Sequence, residues 1–425
     1  MIQRPLKIYA VGRPASWQLV ATSFSLAVLG WLAAACALVP AVPRLVDGWL
    51  GAEQPVLAVH LAGLVFLPFA VAGAAWHTLP VMLRNELSSE RRLRLALPLI
   101  AGGIPLAAGV AADVDGLAWA GSALLVAGLA LVLYELVGLI VRAPGEKTLV
   151  ASRAGVGLSA LHLVAAFVLG AAVFGAGGPD VLGVPFERMV LVHLTLAGLG
   201  WLTLLILSVG RTLVPMLALA PAAPSRKLPA LELAFTGGLW LLLAGLAAGV
   251  DPLAGVGGAV VALALGRFGV QVAGVARRRR LDVVEGPLAH VLAGVVFLAQ
   301  AAAFGFAALA GALDARRGAT VFALFVVVGW AAGVTLGHLG KLLSLSAWST
   351  WPPGPRPKQA ALYPRLLWRL EAIAFAAAIE LVGIGVLAGS TGLARAGAGL
   401  AVASAGLAVA GCATTIRHAG AGRAV

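Results

Sequence analysis

Between Met189 and Pro221 the chain reads MVLVHLTLAGLGWLTLLILSVGRTLVPMLALAP, an apolar run holding His193 and then no charge until Arg211. At about 1.5 Å per residue of α-helix, His193 and Arg211 stand roughly 27 Å apart, close to the thickness of a bilayer's hydrocarbon core. Steps of about 100° per residue over that interval return to the starting face. The stretch therefore predicts a membrane-spanning helix with one polar residue near each surface, both on one side.

Related strings occur twice more. Residues 55–83 carry His60 and then Trp76-His77-Thr78-Leu79-Pro80-Val81-Met82-Leu83, which aligns with Gly210-Arg211-Thr212-Leu213-Val214-Pro215-Met216-Leu217. Residues 319–343 end in Gly337-His338-Leu339-Gly340-Lys341-Leu342-Leu343. From His77 to Arg211 to His338 each step is about 130 residues, the period of an internal repeat of four helices. Three such units, at about 14–142, 150–280 and 283–417, predict twelve helices in three arcs, with His77, Arg211 and His338 at one depth around a pseudo-threefold axis.

Composition agrees with this class. The chain is 61% hydrophobic and 11% charged, with a mean hydropathy of +1.00, which describes an all-α polytopic membrane protein and leaves too little polar surface for a soluble fold. The net charge of +13 does not mark a nucleic-acid binder, because the cations alternate with the apolar runs as they do in cytoplasmic loops. The partner implied is the lipid bilayer. The cysteines, Cys36 and Cys412, fall inside apolar helices without metal-ligand spacing and read as core residues.

In order, helices are predicted over 16–40, 55–83, 95–112, 116–141, 154–175, 189–221, 228–250, 253–276, 284–312, 318–345, 367–389 and 393–415. The first is too long for a signal-peptide core. The N-terminal tail (Arg4, Lys7, Arg13), the loops holding Arg84 to Arg94, Lys147 and Arg277 to Arg280, the Pro-rich loop before Arg365 and the end with Arg417 and Arg423 are basic. Alternate loops hold Asp47, Asp113, Asp115, Asp180, Asp251 and Asp314, whereas Arg44, Arg188 and Arg316-Arg317 break the trend. The positive-inside rule then puts both termini in the cytoplasm and the chain in the inner (plasma) membrane.

Six of the seven histidines fall within predicted membrane helices: His60, His77, His162, His193, His290 and His338. An unpaired polar group in hydrocarbon costs several kcal/mol, so each must hydrogen-bond or bind something. Interhelical hydrogen bonding accounts for a single such residue; a set on repeat-related helices points to a site. Glu135, Arg267 and Glu380 add intramembrane charges, with Glu135 and Arg267 a candidate neutralising pair.

Twelve helices in three arcs with histidines on the second, sixth and tenth resemble subunit I of the heme-copper oxidases. Gly210-Arg211-Thr212-Leu213-Val214-Pro215 and Leu336-Gly337-His338-Leu339-Gly340-Lys341 are similar to the ends of helices six and ten in the NnrS-type heme- and copper-containing membrane proteins, the first with one extra residue before its proline. An oxygen reductase of this superfamily would also carry His-x-His on helix ten, His-His on helix seven and a histidine with a nearby tyrosine on helix six. Residues 228–250 and 320–330 hold no histidine, and the tyrosines are Tyr9, Tyr134 and Tyr363, so the residues of the oxygen-reducing centre are missing.

The resemblance implies a b-type heme between His77 and His338, with Arg211 or Lys341 on its propionates, and a small copper site at His60 and His193. It implies electron transfer or a nitric oxide or nitrogen oxide response, with a cupredoxin or cytochrome as redox partner. The alternative class is a cofactor-free proton-coupled transporter or metal exporter using the same histidines with Glu135 or Glu380 as relays.

The alternation of loop charge generates a direct test. A cysteine placed beside Asp180 is expected to react with an impermeant maleimide added outside intact cells, and one beside Arg356 is expected to react only after permeabilisation; the opposite pattern inverts the topology.

Overall fold

The computed structural model describes residues 14–83, 85–142, 150–176, 180–221, 228–280 and 284–421. Arg4, Lys7, Tyr9, Arg13, Arg84, Lys147 and Arg423 lie outside the described residues. Twelve helices in it are long and apolar enough to cross a membrane: α1 (Trp17–Val46), α2 (Glu53–Met82), α3 (Glu90–Ala111), α4 (Asp115–Arg142), α5 (Arg153–Gly175), α6 (Phe186–Leu217), α7 (Ala230–Ala248), α8 (Asp251–Arg278), α9 (Gly286–Leu309), α10 (Ala315–Ser349), α11 (Arg365–Ala388) and α12 (Thr391–Gly420). Extended structure among the described residues is confined to Asp180–Val181 paired antiparallel with Val184–Pro185.

Several helices outrun their predicted ends, for identifiable reasons. Helix α1 continues through Pro40 and Pro43 to Val46, since neighbouring groups in a bundle re-satisfy what a proline frees. Helix α3 starts at Glu90 because the Ser89 hydroxyl accepts from Arg92 N at 3.4 Å. Helix α10 starts at Ala315 because Asp314 accepts from Arg317 N at 3.0 Å, each a side-chain N-cap. Of the two cysteines, Cys412 is buried and Cys36 is exposed on α1, so Cys36 is not a core residue; it stands on the bundle's outer surface, where apolar residues face lipid.

Helices α2, α6 and α10 form the interior. In their apolar stretches 56%, 61% and 78% of the residues are buried, against 28% to 44% in the other helices. Each of the three carries a π-helical segment mid-span, at Ala62–Phe66, Leu196–Thr203 and Leu324–Ala332. A π turn displaces the i→i−4 ladder, and hydroxyls supply local replacements: Ser23 on α1 donates to Phe69 O at 2.8 Å, Ser159 on α5 to Trp201 O at 2.9 Å, and Thr203 to Gly198 O at 2.8 Å. The Trp330 indole N–H then donates to Thr203 Oγ1 at 3.0 Å, tying α10 to α6. These wider turns also shift the 100° count between His193, which lies against α5, and Arg211, which reaches α7.

Around this interior, α1, α5 and α9 pack on α2, α6 and α10 respectively, while α3–α4, α7–α8 and α11–α12 form tight hairpins; α12 packs on α1. Each hairpin has the same closure. A Cβ on Gly109, Gly245 or Gly385 would overlap the backbone nitrogen of Ala118, Ala254 or Ala394, and one on Gly121, Gly257 or Gly397 that of Leu106, Leu242 or Val382. Small residues let two helix backbones approach to contact, the main attraction available where lipid is as apolar as the side chains. The turn residue is left-handed in all three: Asp113 (φ 55°), Gly249 (φ 68°) and Gly389 (φ 65°), the αL cap that ends a helix.

Gly257 meets backbone, whereas a Cβ on Gly255 of the same helix meets nothing within 4 Å. Gly257→Leu is therefore expected to destabilise the α7–α8 hairpin by about 3 kcal/mol, seen as a lowered melting temperature and loss of monodisperse protein in detergent. Gly255→Leu should leave both unchanged; equal effects would refute the close-approach account.

Candidate functional site

The central helices carry polar residues in two layers. His77, Arg211 and His338 each lie about 24 residues into α2, α6 and α10, which at about 1.5 Å per residue is a common distance along the helices. His60 and His193 each lie about seven residues in.

In the deeper layer, α2 and α10 pack together over their second halves, and His77 and His338 are both buried. His338 Nδ1 lies 2.7 Å from Val334 O. A carbonyl only accepts, so Nδ1 carries the proton and Nε2 of the neutral ring keeps its lone pair. The buried Nδ1 of His77 has no hydrogen-bond partner. Arg211 donates to Glu232 Oε1 on α7 at 2.7 Å, and Lys341 Nζ stands 2.7 Å from Glu285 Oε2. Both cations that the resemblance assigns to propionates thus already face a carboxylate.

In the other layer, His60 Nδ1 donates to Val56 O at 2.8 Å, again leaving Nε2 as the lone-pair nitrogen. His193 lies against Gly170 of α5 and near enough to His60 for the two rings to interact electrostatically. Among the described residues no group of three or more His, Cys, Asp or Glu is placed to hold a metal ion, so a copper ion here would rest on two imidazoles.

Several of the remaining intramembrane polar residues are partnered across helices, whereas the buried Nδ1 of His162, like that of His193, has no hydrogen-bond partner. His162 packs against Gly200 of α6, its ring 5.7 Å from that of Trp240. His290 stands against Gly337, and its Nε2 is 2.8 Å from Glu371 Oε2. Glu371 also accepts from Ser404 Oγ at 3.0 Å, and all three of these residues are buried. Gln300 donates to Glu380 at 3.0 Å. Glu135 is bound by Arg92 Nε at 2.7 Å and by Ser88 rather than by Arg267, which is exposed on α8. The pairing expected from sequence fails because α3, not α8, lies beside α4.

Glu232, Glu285 and Glu371 were not among the residues singled out from the sequence. The signal was present for two of them: Glu232 and Glu371 are carboxylates set among apolar residues of α7 and α11, and an intramembrane carboxylate needs a partner as a histidine does.

The imidazoles fit a metal or heme iron in donor type and, at His60 and His338, in protonation. Ligating histidines commonly donate their second N–H to a backbone carbonyl, which fixes the tautomer. The orphaned His77 Nδ1 is a further nitrogen in want of a partner.

Fold and site together define an all-α polytopic membrane protein of twelve membrane-spanning helices with histidines on its central three, buried at His77 and His338. No protein-family model matches the chain, and no curated protein matches it by sequence.

Beyond the membrane spans, Tyr363 is buried with Lys341 Nζ 5.1 Å from its ring centroid. Burial, and then the nearby Glu285 carboxylate, push its phenol well above the ordinary tyrosine value of 10.0. Since the folded state resists this ionisation, Tyr363 contributes stability below the unfolded pKa that is lost as pH rises towards the folded one. The absorbance rise at 295 nm near pH 10 in the folded protein should be the same in wild type and Tyr363→Phe. A smaller rise in the variant would show that the phenol titrates normally.

Proposed function

We propose that this chain is a heme- or copper-binding membrane protein of electron transfer or nitrogen oxide response. In this reading His77 and His338 would hold a b-type heme, and His60 with His193 would hold a copper ion at a separate site. The observation that carries it is the pair of facing helices α2 and α10, whose buried imidazoles offer an unpartnered Nδ1 at His77 and a carbonyl-fixed tautomer at His338. Bound there, a bis-histidine heme would supply one-electron redox chemistry in an apolar setting. Val334 O holds the His338 ring in orientation, and Arg211 and Lys341, shared with Glu232 and Glu285, supply cations at the same end.

One arrangement favours a second reading, a cofactor-free proton-coupled carrier. His290, Glu371 and Ser404 form a hydrogen-bonded set joining α9, α11 and α12 inside the bundle, the kind of buried ionisable group that pumps and transporters use. Glu380 with Gln300 lies further along the same pair of helices, α9 and α11.

Reduced-minus-oxidised spectra of the purified protein separate the two. The heme reading expects a Soret and α-band difference spectrum in the wild type, reduced at least about tenfold in His77→Ala and His338→Ala, while His60→Ala retains it and loses bound copper instead. A wild type with neither heme absorbance nor copper puts the carrier reading first. A heme that survives both deeper substitutions overturns the assignment of its ligands.

A further inference from the structure

A cavity of about 650 Å³ is bounded by α6, α7, α8, α9 and α10. No histidine lines it. Its walls are apolar, with Leu199, Val261, Leu298 and Phe322 among them, and Phe306 at its edge is 38% exposed. Protein interiors pack as densely as organic crystals, with few voids larger than a water molecule. A space of this size falls within the range of ligand-binding pockets.

Three polar groups face it. Thr195 is fully buried on the cavity wall, and its hydroxyl has no hydrogen-bond partner. Thr195 sits immediately before the π segment of α6. Two helical turns away, at the end of the bundle remote from the first residues of α1, Arg188 and Asp251 line the same cavity. The Arg188 guanidinium lies over Gly249, in the left-handed turn between α7 and α8, and both Arg188 and Asp251 are exposed. Neither Arg188 nor Asp251 has an ion-pair partner among the described residues, although Glu187 beside Arg188 is engaged by Arg316 at 2.9 Å.

We infer that this cavity binds one phospholipid with a primary-amine headgroup, of phosphatidylethanolamine chemistry. The cavity takes an acyl chain, Thr195 donates to an ester carbonyl below the headgroup, Arg188 pairs with the phosphate and Asp251 accepts from the ammonium. A single cation beside a single anion, each without a partner, complements a zwitterion. The carboxylate further selects an ammonium that donates hydrogen bonds over a quaternary one that cannot. Arg188, one of the arginines that break the alternation of loop charge, thereby gains a role. The inference does not depend on the heme reading.

Native mass spectrometry of the delipidated full chain in detergent tests it, titrated with phosphatidylethanolamine, phosphatidylcholine and phosphatidylglycerol of identical chains. One phosphatidylethanolamine per chain should be retained at least about fivefold better than either other lipid. Asp251→Asn should abolish the preference over phosphatidylcholine, and Arg188→Gln should weaken all three. A Cβ on Gly266 meets nothing within 4 Å and one on Gly258 meets only Phe306 at 3.6 Å, so Gly258→Leu with Gly266→Leu fills the cavity without touching backbone. This double variant should keep the wild-type melting temperature and lose retention about tenfold. Equal retention of the three lipids by the wild type, or undiminished retention by a folded double variant, overturns the proposal.

Discussion

Hydrocarbon offers a polar group no partner, and most of this architecture answers that constraint. Backbone groups are satisfied within each helix; every departure from the regular ladder needs a donor from elsewhere. The π segments are the clearest case. They lie in the three most buried helices, and the hydroxyls of Ser23, Ser159 and Thr203 bond to carbonyls in or beside the segments of α2 and α6. Side chains follow the same logic: Arg92 with Glu135, Arg211 with Glu232, His290 with Glu371 and Lys341 with Glu285 each join two charges or a charge and an imidazole at under 3 Å.

The second organising force is steric. Between apolar helices in lipid no hydrophobic gain separates contact from solvation, so close packing must supply the attraction. The three hairpins achieve it with glycines facing the partner's backbone nitrogens, and all three turn through a left-handed residue. Asp113 occupies a conformation in the first hairpin that Gly249 and Gly389 adopt without steric cost in the others. Aspartate is among the few other residues that tolerate it, through local hydrogen bonding of its short side chain.

Much of this was legible in the residues. Apolar runs separated by charged loops located the twelve helices, and the strings around His77, Arg211 and His338 picked out the three that turned out most buried. Which glycines close which hairpin was not legible, because a contact between backbones leaves no mark beyond a missing side chain. Partners across helices were not legible at all. Glu135 was matched with Arg267 by charge alone, whereas α4 packs beside α3 and brings Arg92 to it. The face shared by His193 and Arg211 follows from ideal helix geometry, and the sequence gives no sign of the eight residues of π-helix that lie between them.

Those π segments separate two properties of a membrane helix that usually travel together. Hydropathy decides whether the helix inserts, and it is indifferent to winding; rotational phase decides which residues on the far side of the segment meet which neighbour. Losing one residue from Leu196–Thr203 would leave α6 as apolar as before, yet turn everything beyond it by about 100°, carrying Arg211 away from Glu232. The middle of each central helix therefore acts as a phase adjuster between two layers of polar residues, so that the layer at His60 and His193 and the layer at His77, Arg211 and His338 are free to diverge by single-residue insertion or deletion without disturbing insertion into the bilayer.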